Sequence, residues 1–239
     1  MIQTIDFKTQ EKGWCTVELI DSFGSDSTIC ESARVSYTHK GKRNKRTDGE
    51  LIKYLLESGH FSPFEMAELR FALHIPIYVA RQLMRHRTAN VAEKSMRYTV
   101  SNECEYFEPN EGNAAAYFMN SQNKDAYTLY EQLISHNDHS YKGIKRLARE
   151  DARKILPVCA ITDIVFKTDV RNFFNVMIQR LSPHAQYETR FIAFLMWEHF
   201  YGSDKPFRLT SSCMLHLLPD PCRETITMFN RKLKLHEFV

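Results

Sequence analysis

The sequence predicts an α+β fold, rich in helix with a modest, mostly antiparallel sheet, and three observations carry that prediction. Several stretches repeat apolar residues at helical spacing. Two others alternate apolar and polar residues as half-buried strands do. Strands and helices do not alternate regularly, as a parallel architecture would require. Length sets the scale: a folded chain of 239 residues and 28.1 kDa exposes roughly 11,000 Å² against roughly 41,000 Å² when extended, so it can bury a core without disulfides or metals. With 43% hydrophobic and 26% charged residues, no internal repeats and no Pro/Gly-rich linker, residues 1–239 read as one ordered domain.

Element by element, the first helix is expected from Asp48 as N-cap through Leu51, Ile52, Leu55 and Leu56 to a stop at Gly59. Leu69, Phe71, Leu73 and Ile75 then alternate with Glu68, Arg70, Ala72 and His74, the pattern of a strand with one buried face. Pro76 ends that strand and can open a helix at its first turn. This helix carries Ile77, Val79, Ala80, Leu83 and Met84, with Arg81 and Arg85 sharing one face and Gln82 adjacent. Apolar positions 126, 129, 130, 133 and 134 predict a helix over Ala126 to Ile134, and a further helix is expected from about Tyr141 to Ile155, closed by Pro157. Thr162, Ile164 and Phe166 mark a second strand. Asp169 reads as the N-cap of a helix with Val170, Phe173, Phe174, Met177, Ile178 and Leu181 on its apolar stripe. Ser182-Pro183 reads as the start of another, reaching Tyr201 and ending at Gly202.

Several function classes fall away. No apolar run approaches the roughly 20 residues of a membrane helix, and Met1 to Asp6 lacks the basic-then-apolar layout of a signal peptide, so a cytoplasmic protein is expected. The six cysteines, at 15, 30, 104, 159, 213 and 222, form no CxxC pair and read as reduced thiols packed as small hydrophobes, with no metal site. Neither GxGxxG nor GxxxxGK[ST] occurs, which argues against a Rossmann or P-loop site.

Charge is concentrated. The net charge is +3, yet Arg81, Arg85, Arg87, Lys94 and Arg97 stand against Glu93 alone in residues 81–97, leaving the rest of the chain slightly negative. A focused positive segment suits an anionic small molecule or phosphate better than a nucleic-acid surface. Planar guanidinium forks match phosphate oxygens, and the Ser95 hydroxyl with nearby amides could complete a cradle. A second basic run, Lys40, Lys42, Arg43, Lys45 and Arg46, reads as a solvated loop. If the flanking arginines converge on His86, its ring is neutral at pH 7. Two weaker clusters are His60 to Glu65 and Arg180 to Glu188; within the second, His184 and Glu188 could pair around a metal or proton, though capping or packing suits them better.

Taken together, these clusters resemble one family. Arg85-His86-Arg87, seven residues and Ser95, continuing to Arg97-Tyr98, is similar to the signature of flavin-dependent thymidylate synthases. Ala33-Arg34-Val35-Ser36, Gly59-His60 with Pro63-Phe64-Glu65, Ala80-Arg81-Gln82, Ala152-Arg153 with Leu156-Pro157, and His184-Ala185-Gln186 with Glu188 recur in the family's order. The resemblance implies reductive methylation of dUMP to dTMP. Methylenetetrahydrofolate would donate the carbon and FAD, reduced by NADPH, the hydride, in a homotetramer with sites at subunit junctions. It also implies small molecules as partners, with no nucleic acid and no membrane.

Carried over by position, the resemblance implies dUMP contacts at Gln82, Leu83, Met84 and Arg85, at Glu93, Lys94, Ser95, Met96 and Arg97, and at Arg153 and Arg180. It implies flavin contacts at Ser62, Arg85, His86, Arg87 and Glu93, and at Asp169, Val170, Arg171 and Asn175. His60 and Arg180 are the implied catalytic residues, His60 beside the flavin and Arg180 favouring the N3-ionised uracil. Ser95 lacks a visible base and is assigned to binding rather than attack. Ala92 and Asp169 stand where the family usually has Asn, and Met66 where it commonly has His; an ionised Asp169 accepts hydrogen bonds only, which suits a helix N-cap. Outside that resemblance, the basic clusters could instead engage RNA or DNA, or the chain could be a flavoprotein that only oxidises NADPH.

Overall fold

Alternation along the central strands decides the architecture. The computed structural model describes residues 15–35, 46–99, 114–135 and 148–236. Within them lie β1 (Thr16–Phe23), α1 (Asp26–Arg34), α2 (Asp48–Glu57), a 3-10 turn (Ser62–Met66), β2 (Glu68–Pro76), α3 (Ile77–Leu83) and β3 (Asn90–Glu93). There follow α4 (Ala114–Ile134), α5 (Arg149–Ala152) running into a 3-10 turn (Arg153–Ile155), β4 (Ile161–Asp169), α6 (Val170–Arg180), α7 (Tyr187–Phe200), α8 (Arg208–Leu217) and α9 (Asp220–His236). The sheet is antiparallel throughout, in the order β1-β2-β4-β3. Phe71 faces Phe166 and Leu73 faces Ile164 across the β2–β4 ladder, so the apolar rows of both strands merge into one buried face.

That face is covered by α6 and α7. Phe173 of α6 stacks on Phe71 at 5.8 Å between ring centroids and meets Phe200 of α7 at 4.9 Å. Helix α7 is buried almost all round, from Phe191 through Trp197 to Phe200, so it needs cover on its outer side too. Helix α9 supplies it: Phe229, 1% exposed, packs on Phe191 and Phe194 at 5.2 Å from each. His199 ties α7 to the sheet edge, its Nε2–H donating to the Val17 carbonyl over 2.9 Å.

Helices α1 and α8 start against each other. Asp26 accepts from the Leu209 and Thr210 amides at 2.7 and 3.0 Å and from the Thr210 hydroxyl at 2.6 Å. The residue before α8, Phe207, makes no side-chain cap, so a carboxylate from another helix satisfies the first-turn donors.

The predicted elements stand with corrections at their ends. Helix α2 is capped by Thr47, not Asp48: Glu50 and Thr47 exchange bonds, while Asp48 turns to Arg34 at 2.7 Å. Gly59, with φ +70, closes α2 as expected. Helix α4 starts twelve residues before the predicted Ala126. Of the helix expected from Tyr141, residues 141–147 lie outside the described residues, and the remainder holds the short α5 and the 3-10 turn that follows it to Ile155. Ser182-Pro183 opens only a turn, because Gln186 is extended (φ −57, ψ 144) and α7 begins at Tyr187. Asp169 caps α6, accepting from the Asn172 amide at 2.8 Å. The Lys40–Lys45 run and Cys104 lie outside the described residues; Arg46 sits over the Tyr54 ring at 4.0 Å.

Asp26→Ala removes three hydrogen bonds and should lower the unfolding free energy by about 2 kcal/mol in urea denaturation; an unchanged midpoint would contradict the capping role. Burial, above all, holds the His199 pKa below its ordinary value, so the folded state resists a proton that the unfolded chain takes up as pH falls below about 6.5. Stability should therefore decline from pH 7 to pH 5, and less steeply in His199→Gln.

Candidate active site

Helix α3 has two working faces. Ile77, Ala80, Arg81 and Met84 follow one another at i, i+3, i+4 and i+7 and line one cavity. Tyr78 and Gln82, at i and i+4, face α7 instead: the Tyr78 hydroxyl donates to Glu188, and Gln82 Nε2–H donates to Gln186 Oε1 at 2.9 Å. The helix ends at Leu83, so Arg85 lies in the following turn and not on a face with Arg81, which corrects the expected pairing.

That turn points its side chains in opposite directions. Arg85 and Arg87 are exposed and form no ion pair among the described residues, whereas His86 turns inward. Its Nε2 accepts the Arg180 Nε–H at 3.0 Å, and a second Arg180 nitrogen donates to the Gln82 carbonyl at 3.0 Å. Burial first, and the Arg180 charge second, push the His86 pKa down to about 4. The ring is neutral at pH 7, as expected, but its cationic neighbour is Arg180 at the end of α6 rather than Arg85 and Arg87. Burial lowers the Arg180 pKa as well, yet a guanidinium stays charged.

The cavity on the other face has a volume of about 420 Å³. It gathers the expected nucleotide positions Met84, Glu93, Lys94, Met96 and Arg153 with Arg81. Leu156, Pro157 and Val158 form an apolar wall. Glu93 is fixed by the Thr162 hydroxyl at 2.9 Å. Lys94 is bonded to Asp163 at 3.0 Å and Lys154 to Asp151 at 2.6 Å, while Arg81 and Arg153 make no ion pair among the described residues. Two uncommitted guanidiniums beside an apolar wall and a fixed carboxylate suit a phosphorylated ring with polar edges.

A second cavity of about 630 Å³ lies on the outer face of the sheet and meets the first at Glu93 and Lys94. His74 and Lys94 both bond Asp163, at 2.5 and 3.0 Å. Burial alone would raise the Asp163 carboxyl, but these bonds hold it below its ordinary value.

The remaining expected contacts fall elsewhere. Ser95 accepts the Arg97 amide on its hydroxyl at 3.3 Å and anchors a turn through its carbonyl; no base among the described residues bonds it. Arg97 pairs with Glu150 at 3.0 Å. Leu83 and Val170 are 0% exposed core residues, and the Val170 amide donates to the Ala67 carbonyl, so neither side chain can meet a ligand: a correction to both assignments. His60 is exposed at the turn after α2, 6.0 Å from the Tyr54 ring.

On the side expected to hold flavin, Arg171 pairs with Glu65 and lies 5.6 Å from the Phe61 ring. Ser62 and Asn175 are exposed. Both Asp169 oxygens accept from Asn172, so that carboxylate is committed to its cap. An arginine, a hydroxyl and an amide on this exposed surface fit the acceptor-rich diphosphate of a flavin nucleotide.

His184 is exposed and Glu188 is bonded to Tyr78, so the two form no metal or proton pair. No group of three or more His, Cys, Asp or Glu among the described residues could hold a metal ion. The sequence reading missed Thr162, Asp163 and Gln186. Strand alternation signalled Thr162 as inward-facing, but the partner it would find lies 69 residues away.

The chain matches known proteins over most of its length. Residues 18–203 match the family described as Thymidylate synthase complementing protein, Thy1. The chain is 36% identical over 206 residues to the flavin-dependent thymidylate synthase of Ehrlichia ruminantium (strain Gardel), a match spanning 81% of this chain and 68% of that protein. It is 39% identical over 197 residues to that of Thermus thermophilus, across 75% and 68% of the two chains. Among solved structures it resembles the UMP/dUMP methylase PolB from Streptomyces cacaoi bound with 5-Br dUMP, with a TM-score of 0.71 and 26% identity over 84% of this chain and 95% of that one. With matches this broad, the chain belongs to the flavin-dependent thymidylate synthase family.

Proposed function

We propose that the chain catalyses the reductive methylation of dUMP to dTMP, in the cytoplasm and as a homotetramer. Methylenetetrahydrofolate is the carbon donor, and NADPH reduces the bound FAD. The observation that carries this reading is the cavity with two uncommitted guanidiniums, Arg81 and Arg153, beside an apolar wall and the fixed carboxylate of Glu93. The arginines hold the phosphate, the wall takes the pyrimidine, and Glu93 accepts from a donor on the nucleotide. The assignment of dUMP is supported by the names of the relatives and by the ligand of the PolB structure. No helix among the described residues is long and apolar enough to cross a membrane.

Arg180 acts on the ring. Its half-buried cation favours the N3-ionised uracil, which moves electron density toward C5, the carbon that must attack the donor's methylene. His86 takes no proton in this scheme: neutral at pH 7, it accepts from Arg180 and fixes the plane of the guanidinium. When bound, reduced FAD supplies the hydride that completes the methyl group; Arg171, Ser62 and Asn175 would hold its nucleotide part, with Arg85 and Arg87 free to meet it.

Arg81 and Arg153 line the cavity on one face of α3 while Arg180 bonds the Gln82 carbonyl on the other, an arrangement that supports a site shared between copies of the chain. A second copy, supplying its Arg81–Arg153 cavity to the Arg180 of the first, completes the site, and a homotetramer provides that arrangement.

Purified protein should be yellow, absorb near 450 nm, and form dTMP from dUMP with NADPH and methylenetetrahydrofolate; colourless protein that gains no flavin on reconstitution would overturn the reading. In Arg180→Ala, dTMP formation should fall about 100-fold or more while reduction of the flavin by NADPH largely survives. Equal loss of both would contradict the role given to Arg180.

A further inference from the structure

The cations around the cavity beside α3 divide into two kinds. Lys94 and Lys154 are neutralised by Asp163 and Asp151, at 3.0 and 2.6 Å. Arg81 and Arg153 make no ion pair among the described residues, although the carboxylate of Glu93 lines the same cavity. Opposite charges around one cavity attract each other, so something holds Glu93 back.

Thr162 is placed to do so. Glu93 ends β3 opposite Ile164, and Thr162 lies two residues before Ile164 on the same, inward face of β4. Its cross-strand neighbour is Ile75, 0% exposed, and Thr162 itself is 1% exposed. A valine would fill this position at almost the same volume, whereas a buried hydroxyl is costly unless it finds an acceptor. The Thr162 hydroxyl finds one in Glu93 Oε1, at 2.9 Å. A β-branched side chain has few χ1 choices, so this donor is stiff, and it ties the carboxylate to β4. We propose that Thr162 is a positioning residue that keeps Glu93 from pairing with Arg81 and Arg153, and so leaves both guanidiniums uncommitted for the phosphate of the nucleotide. Without that hydroxyl, Glu93 turns to the arginines and competes with the phosphate for their N–H groups. This inference rests on the dUMP reading of the cavity and deepens it.

The test is calorimetric titration of the purified protein with dUMP, together with steady-state kinetics, on a double-mutant cycle of Thr162→Val and Glu93→Gln. Thr162→Val removes the hydroxyl at similar volume and suits a strand. It should weaken dUMP binding about three- to fivefold, the scale of an exposed ion pair. KM should rise by the same factor, with kcat at saturating dUMP unchanged within about 1.5-fold. Thr162→Ser keeps the donor and should bind dUMP within about 1.5-fold of wild type. Glu93→Gln, whatever its own affinity, offers the arginines no charge, so adding Thr162→Val to it should change dUMP binding by less than about 1.5-fold. Unchanged dUMP affinity in Thr162→Val, or a Thr162→Ser variant as weak as Thr162→Val, would overturn the inference. So would an effect of Thr162→Val that is equally large in the Glu93→Gln background, because packing alone would produce it. Failure of the wild type to bind dUMP at all would instead overturn the function proposed for the cavity.

Discussion

Helical period is the constraint on which the candidate site depends. Helix α3 is seven residues long, and adjacent positions on a helix point about 100° apart, so Arg81 lines the cavity while Gln82 turns toward Gln186. The sequence packs cations closely here, and the fold distributes them. Arg81 joins Arg153, Glu93 and Lys94 around one cavity, Gln82 joins His86 and Arg180 on the other side, and Arg85 and Arg87 stay at the surface. The sheet fixes this division, because α3 follows directly from β2 at Pro76 and β2 is locked between β1 and β4.

Within that frame a half-buried cation is kept in place by a neutral ring. Removing Arg180 from water is costly unless its N–H groups find acceptors. The Gln82 carbonyl supplies one and His86 another, and His86 can do so only while unprotonated. The same burial that lowers the pKa of His86 therefore makes it a suitable partner. The two effects reinforce each other: the Arg180 charge further disfavours protonation of the ring.

Much of this was legible in the sequence, and the losses have physical causes. Strand β2, β4 and helix α6 are long, strongly patterned and well bounded, and they stand almost as expected. Strand β1 was missed because the register shifts between Leu19 and Asp21 opposite Phe71 and Arg70; a bulge breaks the two-residue period that reveals a strand. Strand β3, four residues of Asn-Val-Ala-Glu with nothing fully buried, owes its conformation to the β4 ladder rather than to its own composition. Helices α8 and α9 received no expectation, and the start of α8 depends on Asp26, some 180 residues earlier. In the site, the family signature pointed to the right neighbourhood but could not separate core from surface, so Leu83 and Val170 were named beside residues that face solvent. That Gln186 meets Gln82 was invisible, since nothing local links residues 104 positions apart.

The central claim is that the two faces of α3 belong to one nucleotide site only when two copies come together. Subunit complementation tests it most directly. Arg153→Ala and Arg180→Ala, each impaired alone, are co-expressed and the mixed assemblies assayed for dTMP formation. If one chain's cavity works with another's Arg180, hybrids contain sites with both arginines intact, and activity should rise well above either parent. Activity no higher than the parents, in assemblies shown to contain both chains, would contradict the account.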